Sequence, residues 1–253
     1  MGLGPGTLQD VTDPAELYLD LLARTLTGMV YEDPPLPGQH WIPHTDYQLA
    51  TRESGFDWPQ HAPCMIGLER LGNVRDCVQQ ALADGIPGDL AEAGACRGGT
   101  CIWMRALLAL AGVTNRSVWV IDSFAGLPAE TLTREGWHAG DLAASLGEVK
   151  HNFALYQMLD AQVKFLPGWF TDSLPDAPVR ELAVLRLDAD LYESQLTALT
   201  YLYPKLSPGG FCIIDDPHLA GCARAVREYR EEHQITGPVK DAGPYAIWWR
   251  KEQ

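Results

Sequence analysis

The chain of 253 residues is short of positive charge. Nineteen Lys and Arg stand against 33 Asp and Glu, a formal net charge of −14. Phosphate recognition rests on Lys and Arg, so this balance argues against a nucleic-acid partner and against an anionic membrane surface. Long apolar runs are also missing. No stretch of about 18 or more apolar residues occurs, so no membrane span is expected. Residues 1–16 lack a basic start followed by an apolar core, so no secretory signal is expected either. The six cysteines (Cys64, Cys77, Cys96, Cys101, Cys212, Cys222) form no C-x-x-C pair. Reduced thiols in a cytoplasmic protein are the expected state, with Cys96, Cys101 and Cys212 packed in or beside apolar segments. Internal repeats and low-complexity tracts are absent as well.

What is present is a core's worth of apolar residues, 46% of the chain, arranged in two styles. From Pro14 to Val30, Leu17, Leu21, Leu22 and Leu26 recur at helical spacing behind a first-turn proline. Residues 31–63 hold many Pro, Gly, His and Trp and show no period. A stretch so long suits a functional loop, in which Trp41, Tyr47, Phe56 and Trp58 either form an acceptor-facing lid or pin the loop to the body. Met65 to Asp84 is again helical. From residue 89 strand and helix alternate. Strands are expected at 89–93, 117–121, 163–166, 181–187, 210–214 and 245–249, and helices at 98–111, 145–159, 191–203 and 220–233. Such alternation predicts a mostly parallel α/β sheet covered on both faces. The expected organisation is an N-terminal helix and lid over 1–63 and an α/β domain over 64–253.

The most informative residues sit where two of these strands end. Asp188-Ala189-Asp190 follows Leu182–Leu187, and Asp215-Asp216 follows Gly210–Ile214, 27 residues on. If the strands are parallel neighbours, three or four carboxylates converge at the edge where open α/β sheets bind ligands. Carboxylates so crowded repel one another unless a cation or shared protons compensate. A hard divalent ion with oxygen ligands is the natural compensation.

The first strand runs into Glu92-Ala93-Gly94-Ala95-Cys96-Arg97-Gly98-Gly99. This is not the dinucleotide fingerprint G-x-G-x-x-G, because Cys96 stands where its second glycine belongs. The second strand ends in Asp122-Ser123-Phe124, where a carboxylate can accept both hydroxyls of a ribose. An acid, a glycine turn and a second-strand acid together suit S-adenosylmethionine, with Glu92 toward its cationic end, Asp122 at the ribose and Phe124 at the adenine. Simpler roles compete. Asp122 can cap a turn, and Ser145 with Glu148 forms a capping box. Gly168-Trp169-Phe170 is either core packing or an aromatic wall beside the cofactor. His218, beside the acidic pair, is either a surface histidine opening a loop or a contact or base for the acceptor. Arg97 and Arg186 are expected to pair with nearby acids.

Several motifs occur together and in order: Phe124-Ala125-Gly126-Leu127-Pro128, Phe165-Leu166-Pro167-Gly168-Trp169-Phe170, Leu185 through Tyr192, and Leu206-Ser207-Pro208-Gly209-Gly210-Phe211. With Glu16–Leu22 and Met65-Ile66-Gly67, they resemble the macrocin O-methyltransferase family, which serves the tylosin, mycinamicin and novobiocin pathways. The likeness covers about residues 14–250. It implies a class I methyltransferase fold with a helical lid, a seven-stranded sheet, S-adenosylmethionine, Mg²⁺, and a sugar hydroxyl on a glycosylated natural product as acceptor. It matches Asp188, Asp215 and Asp216 to the metal carboxylates and Asp188 or Asp190 to the base. It matches Met65, Glu92, Asp122, Ser123, Ser145 and Trp169 to the cofactor pocket, which Gly94, Phe124, Gly168 and Asp188 border. A homo-oligomer is also implied, for which the leucine face of residues 17–26 serves either as the joining surface or only as core packing within one subunit. Pro217-His218 and the segment from Trp41 to Trp58 depart from the family pattern, and both fall on the acceptor side. Two other readings fit the same residues: a metal-dependent methyltransferase of a catechol-like aromatic, and a cofactor-binding scaffold without catalysis.

Overall fold

A computed structural model describes residues 13–38, 44–128 and 138–252. Its contacts divide the chain between Leu68 and Glu69. Trp41 lies outside the described residues.

In the first unit, α1 (Pro14–Leu26) starts at Asp13, whose side chain accepts the amide of Ala15, with proline in the first turn. Its buried face is Leu19, Leu22, Ala23 and Leu26, while Leu21 is 57% exposed. The stripe is thus rotated from the expected one, because the sequence holds more leucines than one face can bury. The irregular segment is organised by α2 (Leu49–Ser54) and a bridge between Pro35 and Pro59. Arg52 on α2 is buried and forms a two-point ion pair with Asp57, both bonds 2.9 Å. It also donates to the carbonyls of Thr27 and Asp33. Tyr47 lies against the Arg52 guanidinium, the Trp58 carbonyl accepts from the Leu36 amide, and Phe56 is exposed.

The second unit is built on a seven-stranded sheet. After α3 (Gly67–Ala83) come β1 (Asp89–Ala93), α4 (Gly99–Leu110), β2 (Val118–Asp122), α5 (Leu146–Leu155), β3 (Val163–Pro167), the short α6 (Phe170–Ser173), β4 (Leu182–Leu187), α7 (Tyr192–Leu202), β5 (Leu206–Asp215), α8 (Ala220–Glu232), β6 (Lys240–Asp241) and β7 (Ala246–Arg250). The spatial order is β3-β2-β1-β4-β5-β7-β6. The first five strands run parallel, and β7 is antiparallel to both its neighbours. This is the class I methyltransferase arrangement.

Burial explains these assignments. All six residues of β4 are buried, as a central strand covered on both faces requires. Nearly all of α4 is buried too, including Arg105, which reaches out to Asp160. Two-residue β6 is exposed and carries no apolar pattern, which is why the sequence does not announce it. Order reverses at β1, whose neighbours are β2 and β4, and open α/β sheets bind ligands outside the carboxyl ends at such a switch point.

Candidate active site

Strand register sets the site. Leu187 on β4 pairs with Ile214 on β5, so the 27-residue spacing of the acids equals the register offset. Asp188 and Asp215 are therefore carried side by side. One carboxylate oxygen from each of Asp188, Asp215 and Asp216 lies within 4.8 Å of the others. The convergence expected of these tips is present.

Backbone strain gathers on the same edge. Cys96 after β1, Phe124 after β2, Asp190 after β4 and Asp216 after β5 all have positive φ, between 45° and 54°. Non-glycine residues adopt this conformation only where the surroundings enforce it, and such positions cluster at functional sites. The turn after β1 also lacks room. A Cβ on Gly94 would stand 1.7 Å from the carbonyl oxygen of Asp188. The Asp188 amide in turn donates to the Ala93 carbonyl, at 2.9 Å. Gly94→Ala is expected to misplace the glycine turn and Asp188 together, so that S-adenosylhomocysteine binding, measured by calorimetry, is lost along with turnover.

Arg186 ties the acids into one network. It is 1% exposed and donates to Glu92 on β1, to Asp188 Oδ2 at 2.9 Å, and to Asp215 Oδ2. Arg70 on α3, also buried, donates to the same Asp215 oxygen at 2.8 Å. The other oxygen of Asp215, Oδ1, is buried with no hydrogen-bond partner. Burial alone would raise the Asp215 pKa, but Arg186 and Arg70 outweigh it and hold the carboxyl below its usual value. Burial raises Asp188 well above the carboxylate range despite Arg186. Burial, then the negative charges of Asp215, Asp188 and Asp190, raise Asp216 likewise. Asp190 is pushed up to about 6, chiefly by burial.

Glu92 is fully buried beneath the turn, with Arg186 on one oxygen and the Cys101 thiol on the other at 3.0 Å. Asp122, half-buried, accepts the amides of Cys96 and Phe124, both at 2.8 Å, and so clamps the turns after β1 and β2. Ser123 donates to the Gly126 carbonyl, and Phe124 is half-buried. Gly168 donates its amide to the Asp122 carbonyl, and the adjacent Trp169 is 37% exposed. Ser145 is exposed and completes the expected capping box with Glu148. Met65 belongs to the first unit. His218 packs against Tyr245 with the rings tilted by 55° and centroids 4.8 Å apart, and its Nδ1 lies 3.7 Å from Asp216. Burial lowers its pKa.

Comparison with known proteins decides what this constellation belongs to. The macrocin O-methyltransferase family model matches residues 15–251. The chain belongs to the macrocin O-methyltransferase family. It is 47% identical, over 94% of both chains, to the Streptomyces olivaceus 8-demethyl-8-(2,3-dimethoxy-alpha-L-rhamnosyl)-tetracenomycin-C 4'-O-methyltransferase. It is 45% identical to the mycinamicin III 3''-O-methyltransferase of Micromonospora griseorubida, over 93% of this chain and 96% of that one. The solved structure of the O-methyltransferase NovP superposes with a TM-score of 0.88 at 43% identity, covering 94% of this chain and all of that one. The protein is an O-methyltransferase.

Two residues of this O-methyltransferase's site stand apart from the carboxylate pattern. Arg186 signals itself as the one charged residue in the six-residue run of β4. Arg70 does not, because a helical arginine reads as surface charge until a buried partner 145 residues away is known.

Proposed function

We propose that the protein transfers a methyl group from S-adenosylmethionine to a sugar hydroxyl of a glycosylated natural product, with Mg²⁺ held by Asp188, Asp215 and Asp216. The observation that carries this reading is the meeting of those three acids, together with the buried, unpartnered Oδ1 of Asp215. An all-carboxylate set with a buried, unsatisfied oxygen suits a hard, oxygen-seeking cation. The acceptor class follows from relatives whose names specify methylation of rhamnosyl tetracenomycin and mycinamicin III. Bound there, Mg²⁺ would orient the acceptor and stabilise negative charge developing on its oxygen.

The chain's own residues do the rest. Gly94, Asp122, Ser123 and Phe124, at the ends of β1 and β2, would hold the donor, with Gly168, Trp169 and Ser145 as further contacts. Glu92 supports the turn from below. S-adenosylmethionine held there would supply a sulfonium methyl open to in-line attack by the acceptor oxygen, with the sulfur leaving as a thioether. Asp190 takes the hydroxyl proton. Alignment of the two reactants can itself supply roughly 7–11 kcal/mol of the barrier reduction, so the fixed register of strand tips matters as much as activation.

Asp190 must be unprotonated to act as base. With its pKa near 6, activity is expected to fall as pH drops through about that value, or lower once a cation adds positive charge to the cluster. Asp190→Asn should abolish this acid limb and reduce turnover by about 100- to 10,000-fold. An unchanged limb in the variant would assign the proton to another group. No helix among the described residues is long and apolar enough to cross a membrane, and the six free thiols suit the reducing cytoplasm. Exposed Tyr18 and Leu21 on α1 suit a homo-oligomer interface.

A further inference from the structure

The two guanidiniums at the acidic cluster each take the same kind of atom. Arg186 occupies Oδ2 of Asp188 and, together with Arg70, Oδ2 of Asp215. The partnerless atom of Asp215 is Oδ1. Both arginines are buried, at 1% and 7% exposure, and Asp215 is buried at 1%. A guanidinium is planar and delivers its donors in a fixed fork, so it pins the carboxylate plane as well as neutralising it. One oxygen of Asp215 and one of Asp188 are thereby committed to the protein, and the other oxygen of each is left for an ion.

This division of oxygens discriminates between hard cations. Ca²⁺ takes six to eight oxygens at about 2.3–2.6 Å and commonly grips a carboxylate through both oxygens. Mg²⁺ takes six at about 2.0–2.1 Å in near-octahedral geometry and is satisfied by single oxygens plus water. We propose that Arg70 and Arg186 are positioning residues that set the cation preference of the site, by capping Oδ2 of Asp215 and Asp188 and so enforcing one-oxygen coordination that favours Mg²⁺ over Ca²⁺. This rests on the metal reading given above.

The test compares Mg²⁺ and Ca²⁺ binding to the full-length protein by calorimetry. Both ions carry the same charge, so the ratio of their Kd values cancels the general electrostatic effect of removing an arginine and reports geometry. Arg70→Met is the first variant, since Asp215 keeps Arg186 as partner and the fold should persist. The wild type is expected to bind Mg²⁺ at least as tightly as Ca²⁺. In Arg70→Met the ratio should move toward Ca²⁺ by about tenfold or more, as Oδ2 becomes available. Arg186→Lys, which keeps the charge and loses the fork, should move it the same way and further. A ratio unchanged within about twofold in both variants, whether or not both affinities weaken, overturns the proposal and leaves the metal site standing. A wild type that prefers Ca²⁺ also overturns it. A wild type that binds neither ion removes the metal reading itself, and the cation preference with it.

Discussion

Asp188→Asn is expected to lower methyl transfer by at least about 100- to 1,000-fold, the scale on which losing a group that stabilises developing charge is felt, while S-adenosylhomocysteine binds within a few-fold of wild type. The Asp188 side chain is 21% exposed, with one bond to Arg186, so asparagine can replace it at nearly the same shape. Arg186 keeps Glu92 and Asp215 as partners, and the buried guanidinium is not left alone. The fold should therefore survive. What goes is one carboxylate of the three-acid set proposed to hold Mg²⁺. Adding a chelator to the wild type should reproduce the loss, and readding Mg²⁺ should reverse it. Transfer of a labelled methyl across a panel of glycosylated acceptors is the readout. Full activity in the presence of chelator would set the metal role aside.

The second large effect is on stability. Asp57→Ala is expected to cost about 3–5 kcal/mol, the usual penalty for leaving one member of a buried ion pair without its partner. Arg52 and Asp57 are 1% and 0% exposed and share two bonds of 2.9 Å. Arg52 also holds the Thr27 and Asp33 carbonyls, so one guanidinium joins α2 to the chain that leaves α1. The Asp33 carboxylate continues the network by accepting the amides of His61 and Ala62. Gly28 is part of the same knot, since a Cβ there would lie 2.6 Å from that of Asp33. Removing both charges together, as Arg52→Met with Asp57→Leu, should recover part of the loss, because no buried ion is then stranded. Hydrogen exchange over residues 44–64 measures the effect locally, and urea unfolding measures it globally. Equal protection in Asp57→Ala and wild type would refute the structural role given to the pair.

Much of the fold was legible because its elements are long and patterned. The six-residue apolar run of β4 and the nearly all-buried α4 could hardly be anything but a central strand and a packed helix. The acids were legible for a related reason. Asp188 and Asp215 follow apolar strands directly, and the edge of a parallel sheet turns adjacency in order into adjacency in space. What stayed hidden depends on partners far away in sequence. The Arg70–Asp215 bond spans 145 residues and leaves no local trace. The Arg52–Asp57 pair sits in a stretch without periodicity, where α2 is six residues long. Glu92 shows the limit from the other side. Its place at the end of β1 was readable, but its direction was not: the side chain turns under the glycine turn to Arg186 and Cys101.

The most direct test of the account is a crystal soaked with Mn²⁺, a redox-stable octahedral stand-in for Mg²⁺, with data collected for its anomalous signal. The account predicts one peak within bonding distance, about 2.2 Å, of Asp188, Asp215 and Asp216, touching Oδ1 of Asp215 rather than Oδ2. No peak at the ends of β4 and β5, with the protein otherwise intact, would contradict it.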